Sequence, residues 1–338
     1  MKAVQISSPG KIIMIDIPKS NIQPDEVLVK IKYVGFCGTD LTTWLGKSKL
    51  AKMPVIPGHE IGGVIEAIGE KVPAHIIPGT PCTINPYQAC GSCSSCRNGR
   101  PNACRFNLTL GVQRDGAMCE YIAVPWYKII ADAKISPIEF SMVEPISVGF
   151  HAVNRGKVTE KDTVMVIGCG MIGVGIIIGS ALRGAKVIAV DIDDDKLALA
   201  KRLGAIYTIN SKTENVHESL QTITNDFGPD VVIEAVGVSD TYRLAINEVA
   251  FTGRVVCLGY AKNEIALETN FFVQKELNII GSRNATPEDF QAVVEYMKKG
   301  DFPKEDIISG VNPPEKAQEA METWNANPGK IFRVLIGF

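Results

Sequence analysis

Nine cysteines occur in the 338 residues, and four of them, Cys90, Cys93, Cys96 and Cys104, follow the spacing C-x2-C-x2-C-x7-C in a stretch rich in Gly, Ser, Asn and Pro. Four thiolates converging from one short loop suit a tetrahedral zinc with no open position, that is, a structural site. The bacterial iron–sulfur run closes its last gap sooner and ends in proline, whereas here seven residues intervene and Arg105 follows. Reduced, metal-free thiols are the remaining alternative. The other five cysteines, Cys37, Cys82, Cys119, Cys169 and Cys257, are scattered, which does not read as a disulfide framework.

Three further segments carry a different donor set: Cys37 in FCGTD, His59 and Glu60 in PGHEIGGVIEAIG, and Glu144 in MVEPISVGFHA. Singly, these residues read as a buried small hydrophobe, a satisfied core histidine and a surface acid. Together, sulfur, nitrogen and oxygen ligands from separate segments, with room left for water or substrate, are what a catalytic zinc requires. A third pattern is Gly168-Cys169-Gly170-Met171-Ile172-Gly173, placed after an apolar run that reads as a strand and before one that reads as a helix. The following strand ends in Asp191, with Ile192 next to it. Glycines let the backbone approach a pyrophosphate, the helix N-terminus faces its charge, and the acid accepts ribose hydroxyls while repelling a 2′-phosphate. NAD is therefore expected over NADP. The plainer alternative is that these glycines only permit tight helix–strand packing.

The elements that must position these residues fall into two patterns. Up to about residue 140, short β-type runs (VLVKIKYVGF, GGVIEAIG, AMCEYIAVP) are broken by Pro and Gly, as in an all-β, partly barrel-like domain. From Asp162 strands and helices alternate: TVMVIG, MIGVGIIIGSALRG, KVIAVD, DDDKLALAKRLGA, IYTIN, a polar helix 214–227, DVVIEAVG, a helix 239–250, RVVCLGY, LNIIGS and a helix 287–299. Such alternation implies a doubly wound parallel sheet, an α/β domain beside the β domain. The tail from about 301 reads as a short helix over PEKAQEAMETW and a last strand KIFRVLIGF, expected to return to the first domain.

Composition excludes several classes. A net charge of −2 with 21% charged residues argues against a nucleic-acid partner, and 46% hydrophobic content without low-complexity runs argues against disorder. The segment Thr163 to Leu182 is 20 residues without a charge, long enough on paper to span a bilayer. Its five glycines and embedded G-x-G-x-x-G fit a buried strand and helix instead, so no membrane partner is expected. The opening MKAVQISSPGKIIMID lacks an apolar signal region, and a cytoplasmic protein is expected.

Taken together, Gly58-His59-Glu60 followed by Gly63, Gly69 and Val72, the four-cysteine lobe and the glycine fingerprint resemble the zinc-dependent medium-chain dehydrogenase/reductase family, the alcohol dehydrogenase-like superfamily, over nearly the whole chain. Glu144-Pro145 with SVGFHA resembles the sorbitol dehydrogenase branch, and Gly281 to Phe290 (GSRNATPEDF) is similar to a run in bacterial sugar-acid dehydrogenases of the L-galactonate type. The resemblance implies a GroES-like catalytic domain over 1–145 with a structural-zinc lobe at about 86–106, a Rossmann domain over 146–300, and a return to the catalytic domain over 301–338. It implies one catalytic and one structural zinc, with Cys37 and His59 as ligands of the first and Glu60 or Glu144 as the third. Thr39 would bind the substrate hydroxyl and pass on its proton. Val236-Gly237 and Leu258-Gly259 would line the nicotinamide pocket, and Lys196 would reach the adenosine ribose. Trp44 and Arg283 are candidates for the substrate pocket. His75, His151 and His217 receive only structural or solvated readings.

Two positions depart from the family pattern. Thr42 stands where relatives often carry a histidine that ends a proton relay, and a threonine hydroxyl can pass a proton without storing one near pH 7. Thr80 stands where relatives commonly have an aspartate in a turn, and no functional meaning is assigned to it. The expected reaction is hydride transfer between NAD and a secondary alcohol of a polyhydroxylated small molecule (sugar acid, polyol or sugar), in a homodimer or homotetramer. The alternatives are a threonine or 2,3-butanediol type of substrate, or a non-catalytic NAD-sensing zinc protein. The chemistry fits zinc, since a protein-bound zinc lowers the pKa of a bound water from about 16 to about 7, roughly 12 kcal/mol of charge stabilisation.

Overall fold

Residues 1–144 with 286–338 form one structural unit and 145–285 a second in this computed structural model, which describes residues 1–300, 302–327 and 329–338. Residue 301, the expected start of the return segment, lies outside the described residues.

In the first unit, an antiparallel hairpin of Lys2–Ser8 and Lys11–Asp16 accompanies a seven-stranded sheet. Its order is Ile308–Asn312, Arg333–Gly337, Glu26–Gly35, Glu60–Ile68, Pro81–Ile84 and Ile129–Ala131, with Tyr121–Pro125 also pairing with Glu26–Gly35. Side chains alternate across a pleated strand, so Val27, Val29 and Ile31 enter a common core with Ile61, Ile65, Phe36 and Met118. The C-terminal strand lies antiparallel to Glu26–Gly35, with Leu335 opposite Gly35 and Gly337 opposite Tyr33. AMCEYIAVP is shorter as a strand than its composition suggests: Cys119 makes an isolated bridge to Ala3, and the strand begins at Tyr121.

The second unit is a six-stranded parallel sheet in the order Tyr207–Asn210, Lys186–Asp191, Thr163–Ile167, Val231–Glu234, Arg254–Cys257, Asn278–Gly281. In chain order this is 3-2-1-4-5-6, the doubly wound dinucleotide-binding arrangement. Strands covered on both faces read as continuous apolar runs, and Val164, Met165 and Val166 are wholly buried. The helix Met171–Ala181 is buried along most of its length, which accounts for the charge-free run from Thr163 to Leu182. Among the described residues no helix is long and apolar enough to cross a membrane.

Helix ends are tighter than the sequence pattern implies: Val216–Thr224, Ser239–Glu248 and Pro287–Met297. Pattern alone attaches Pro287–Met297 to the alternating region, but it groups with the first unit. There the Phe290 ring meets Tyr87 edge-on at 6.2 Å between centroids, and Lys298 pairs with Asp132 at 3.2 Å.

Candidate metal and dinucleotide sites

Cys37 caps the short helix Gly38–Trp44, and its backbone N–H donates to the Asp40 carboxylate at 2.8 Å. This local bond anchors the backbone that carries the thiol. His59 and Glu60 enter from the start of the next sheet strand, after Gly58 at φ +106°. A Cβ there would lie 2.7 Å from the Val34 side chain, so the turn aiming His59 requires glycine. These elements bring donor atoms of Cys37, His59 and Glu60 within 4.8 Å of one another.

The electrostatics of this cluster suit a cation. Among the described residues, neither Glu60 oxygen has an aligned hydrogen-bond donor, nor does His59 Nδ1 have a partner, although Arg333 Nη1 pairs with Glu60 Oε1 at 2.8 Å. Burial opposes charge on His59, but Cys37, Asp40 and Glu144 beside it outweigh burial and raise its pKa well above the ordinary value. Burial pushes Asp40 up to about 6 and Glu144 up to about 7, the latter helped by the charge of Glu60. Acidic groups crowded in a buried space hold protons that a divalent ion displaces. The donor set therefore fits zinc.

Glu144 stands beside this group. Tyr87 donates its phenol O–H to Glu144 Oε1, and the burial of Tyr87 together with that carboxylate raises the phenol pKa well above its usual value. Thr39 is half-buried in the helix that Cys37 caps. The Thr42 hydroxyl donates to the Gly38 carbonyl at 2.7 Å. Trp44 is 7% exposed and lies in the core of the first unit. Arg283 is half-buried just after the last parallel strand.

The four lobe cysteines also converge, with sulfurs within 4.8 Å of one another. Backbone N–H groups of Cys90, Cys93 and Phe106 point at lobe sulfurs at 3.3, 3.4 and 3.3 Å. The Ser95 hydroxyl is the main cause that brings Cys93 down to about 5, while burial and neighbouring thiols push Cys96 up to about 11. Such a crowd cannot all ionise alone, and a cation held by four thiolates resolves it.

In the second unit, Gly168 N–H donates to Val190 O at 2.8 Å, and Gly170 caps the helix Met171–Ala181. A Cβ on Gly173 would lie 2.0 Å from Gly168 O, so only glycine lets helix and turn approach this closely. Asp191 Oδ2 accepts Cys169 N–H at 2.7 Å, and Oδ1 accepts Ile192 and Asp193 N–H at 2.8 and 3.1 Å. The carboxylate is thus fixed beside the glycine turn. Lys196 lies in the next helix, Asp194–Arg202. Val236-Gly237 and Leu258-Gly259 follow adjacent parallel strands.

Sequence reasoning did not single out Asp40, Tyr87 or Arg333. Asp40 had a local signal, an acid three residues after a helix cap. Tyr87 and Arg333 had none, because only the tertiary fold brings them to the carboxylates.

The comparisons agree with this architecture. Residues 23–134 match the alcohol dehydrogenase GroES-like domain and residues 172–299 the zinc-binding dehydrogenase domain. The chain is 32% identical over 325 residues to L-galactonate-5-dehydrogenase of Escherichia coli (strain K12), covering 96% of this chain and 94% of that one. It is 31% identical over 349 residues to sorbitol dehydrogenase of Bacillus subtilis (strain 168), covering 99% and 97%. An alcohol dehydrogenase (rspB) from E. coli CFT073 solved with NADH superimposes with a TM-score of 0.91 at 28% identity, covering 100% of this chain and 99% of that one. The chain belongs to the zinc-binding alcohol dehydrogenase-like family, with a GroES-like domain and a Rossmann-type sheet, and is an oxidoreductase.

Proposed function

We propose that this protein is an NAD-dependent zinc dehydrogenase that oxidises a secondary alcohol of a sugar acid, polyol or sugar. The observation that carries this reading is the convergence of Cys37, His59 and Glu60 around a buried carboxylate lacking aligned donors. Likeness to sugar-acid and polyol dehydrogenases supports the substrate class.

Cys37, His59 and Glu60 would hold the catalytic zinc, and the four lobe cysteines the structural one. When bound, the catalytic ion supplies positive charge that makes a substrate hydroxyl acidic near neutral pH. Thr39 would accept a hydrogen bond from that hydroxyl and, as it takes that proton, pass its own hydroxyl proton on towards solvent. Thr42 is committed to the Gly38 carbonyl, so a relay through it requires that bond to break. Tyr87 holds Glu144 at the side of the cluster, and Arg333 balances the Glu60 charge. Bound NAD would supply the hydride acceptor. Gly168, Gly170, Met171, Ile172 and Gly173 would cradle its pyrophosphate, Asp191, Ile192 and Lys196 its adenosine ribose, and Val236, Gly237, Leu258 and Gly259 its nicotinamide. The fixed negative charge of Asp191 favours NAD over NADP.

The segments 1–144 and 286–338 would then form the catalytic domain, and 145–285 the NAD domain. Nine cysteines, four of them spaced for one metal, suit a reducing cytoplasm. A dimer or tetramer is supported by the strand Asn278–Gly281, which ends the parallel sheet with Ile279 44% exposed.

NADH formation with a panel of aldonates, polyols, sugars, threonine and 2,3-butanediol tests the reading. Turnover of aldonates or polyols is expected. Activity confined to threonine or butanediol would move the substrate class, and no NAD reduction with any alcohol would overturn the reading.

A further inference from the structure

Glu234 ends the central strand Val231–Glu234 and is wholly buried. Its Oε1 accepts the backbone N–H of Val236 at 2.9 Å and of Gly237 at 2.8 Å, and the Thr241 hydroxyl lies 2.8 Å from the same oxygen. Its backbone carbonyl accepts the N–H groups of Leu258 and Gly259 at 3.0 and 3.1 Å. The Tyr242 hydroxyl donates to Gly259 O at 2.6 Å. A Cβ on Gly259 would stand 2.2 Å from Gly237 N and 2.6 Å from Glu234 Oε2, so the two loops close on this carboxylate with no space for a side chain.

These contacts lie beyond the sheet. Strand pairing already sets Glu234 opposite Cys257, whereas every donor to the Glu234 side chain comes from the loop and helix that follow. Among the described residues, Oε2 is buried with no hydrogen-bond partner. A buried carboxylate with one oxygen unmatched is costly for stability alone, which points to a role in function.

We infer that Glu234, with Thr241 and Tyr242, is a positioning residue that pre-shapes the Val236-Gly237 and Leu258-Gly259 loops for the nicotinamide end of the cofactor. The inference rests on the proposed assignment of these loops to nicotinamide. Holding both loops in their bound conformation lowers the ordering cost of binding that end. The adenosine end would be held by the glycine turn and Asp191, whose carboxylate takes its N–H donors from Cys169, Ile192 and Asp193 rather than from the Glu234-held loops.

The test compares NADH with ADP-ribose, which lacks the nicotinamide, by calorimetry on the wild type, Glu234→Ala, Glu234→Gln and Thr241→Val, with thermal melts as a control for folding. Glu234→Ala should weaken NADH by about tenfold or more, the scale of one or two lost hydrogen bonds, while ADP-ribose affinity stays within about twofold of wild type. Glu234→Gln, whose amide oxygen can accept the same N–H groups, should restore most of the difference, and Thr241→Val should fall between. Should Glu234→Ala fail to fold, Thr241→Val carries the test, with its NADH loss expected to exceed its ADP-ribose loss. Equal losses for both ligands, or no loss for either, would overturn the inference. A wild type that binds ADP-ribose no more weakly than NADH would refute the nicotinamide assignment itself, and the inference with it.

Discussion

Cys37, His59 and Glu60 come from a helix cap and a strand start, and the charge they gather is managed by residues far away in sequence. Arg333 is the main one. It pairs with Glu60 and donates to Phe36 O at 2.5 Å, with side chains 6% and 1% exposed in the ion pair. Removing one partner of a buried pair leaves the other charge stranded, at a cost of roughly 3–5 kcal/mol. Arg333→Met should therefore lower the urea midpoint sharply, whereas an unchanged midpoint would show that the pair carries little weight. A pH-dependent counterpart sits at the surface. His217 Nδ1 lies 2.9 Å from Glu248, and this hydrogen bond, followed by the carboxylate charge, raises the His217 pKa from 6.5. A raised folded-state pKa contributes stability that is fully present below the unfolded pKa and lost as pH rises through the folded value. His217→Ala should cost more stability at pH about 5.5 than at about 9, as measured by denaturant titration at both pH values. The reverse order would contradict this.

At the scale of elements, the close turn between Thr163–Ile167 and Met171–Ala181 is the most demanding. Gly173→Ala places a methyl group against Gly168 O, so helix and turn must separate. NADH affinity should fall by at least about tenfold, while the lobe cysteines retain their metal. Unaltered affinity would mean that the turn does not hold the dinucleotide. This element was legible from sequence because its determinants are local: an apolar strand, three spaced glycines and an acid at the next strand end. The four-cysteine lobe was legible for the same reason. Residues 117–119 were harder, since composition reads them as strand while the fold leaves Ala117 and Met118 in irregular backbone and gives Cys119 only an isolated bridge. Pro287–Met297 continues the strand–helix alternation in pattern, and only its contacts with Tyr87 and Asp132 show which unit it joins.

For the whole molecule, the donor types Cys37, His59, Glu60 and Glu144 were readable, but their division of labour was not. Glu60 stands with Cys37 and His59 in one group, while Glu144 is tied to Tyr87, and neither Tyr87 nor Arg333 lies near these residues in the chain. Pocket residues on loops carry the choice of substrate, which is why sequence pattern reaches the reaction class before the substrate. The proposed function needs two distinct metal centres, one acting on a substrate hydroxyl and one structural. The most direct measurement is elemental zinc analysis of the wild type and Cys37→Ala, with NADH binding measured on the same samples. Two zinc ions per wild-type chain and one in Cys37→Ala are expected, with dinucleotide binding kept and turnover lost. Two ions retained in an active Cys37→Ala protein would contradict it.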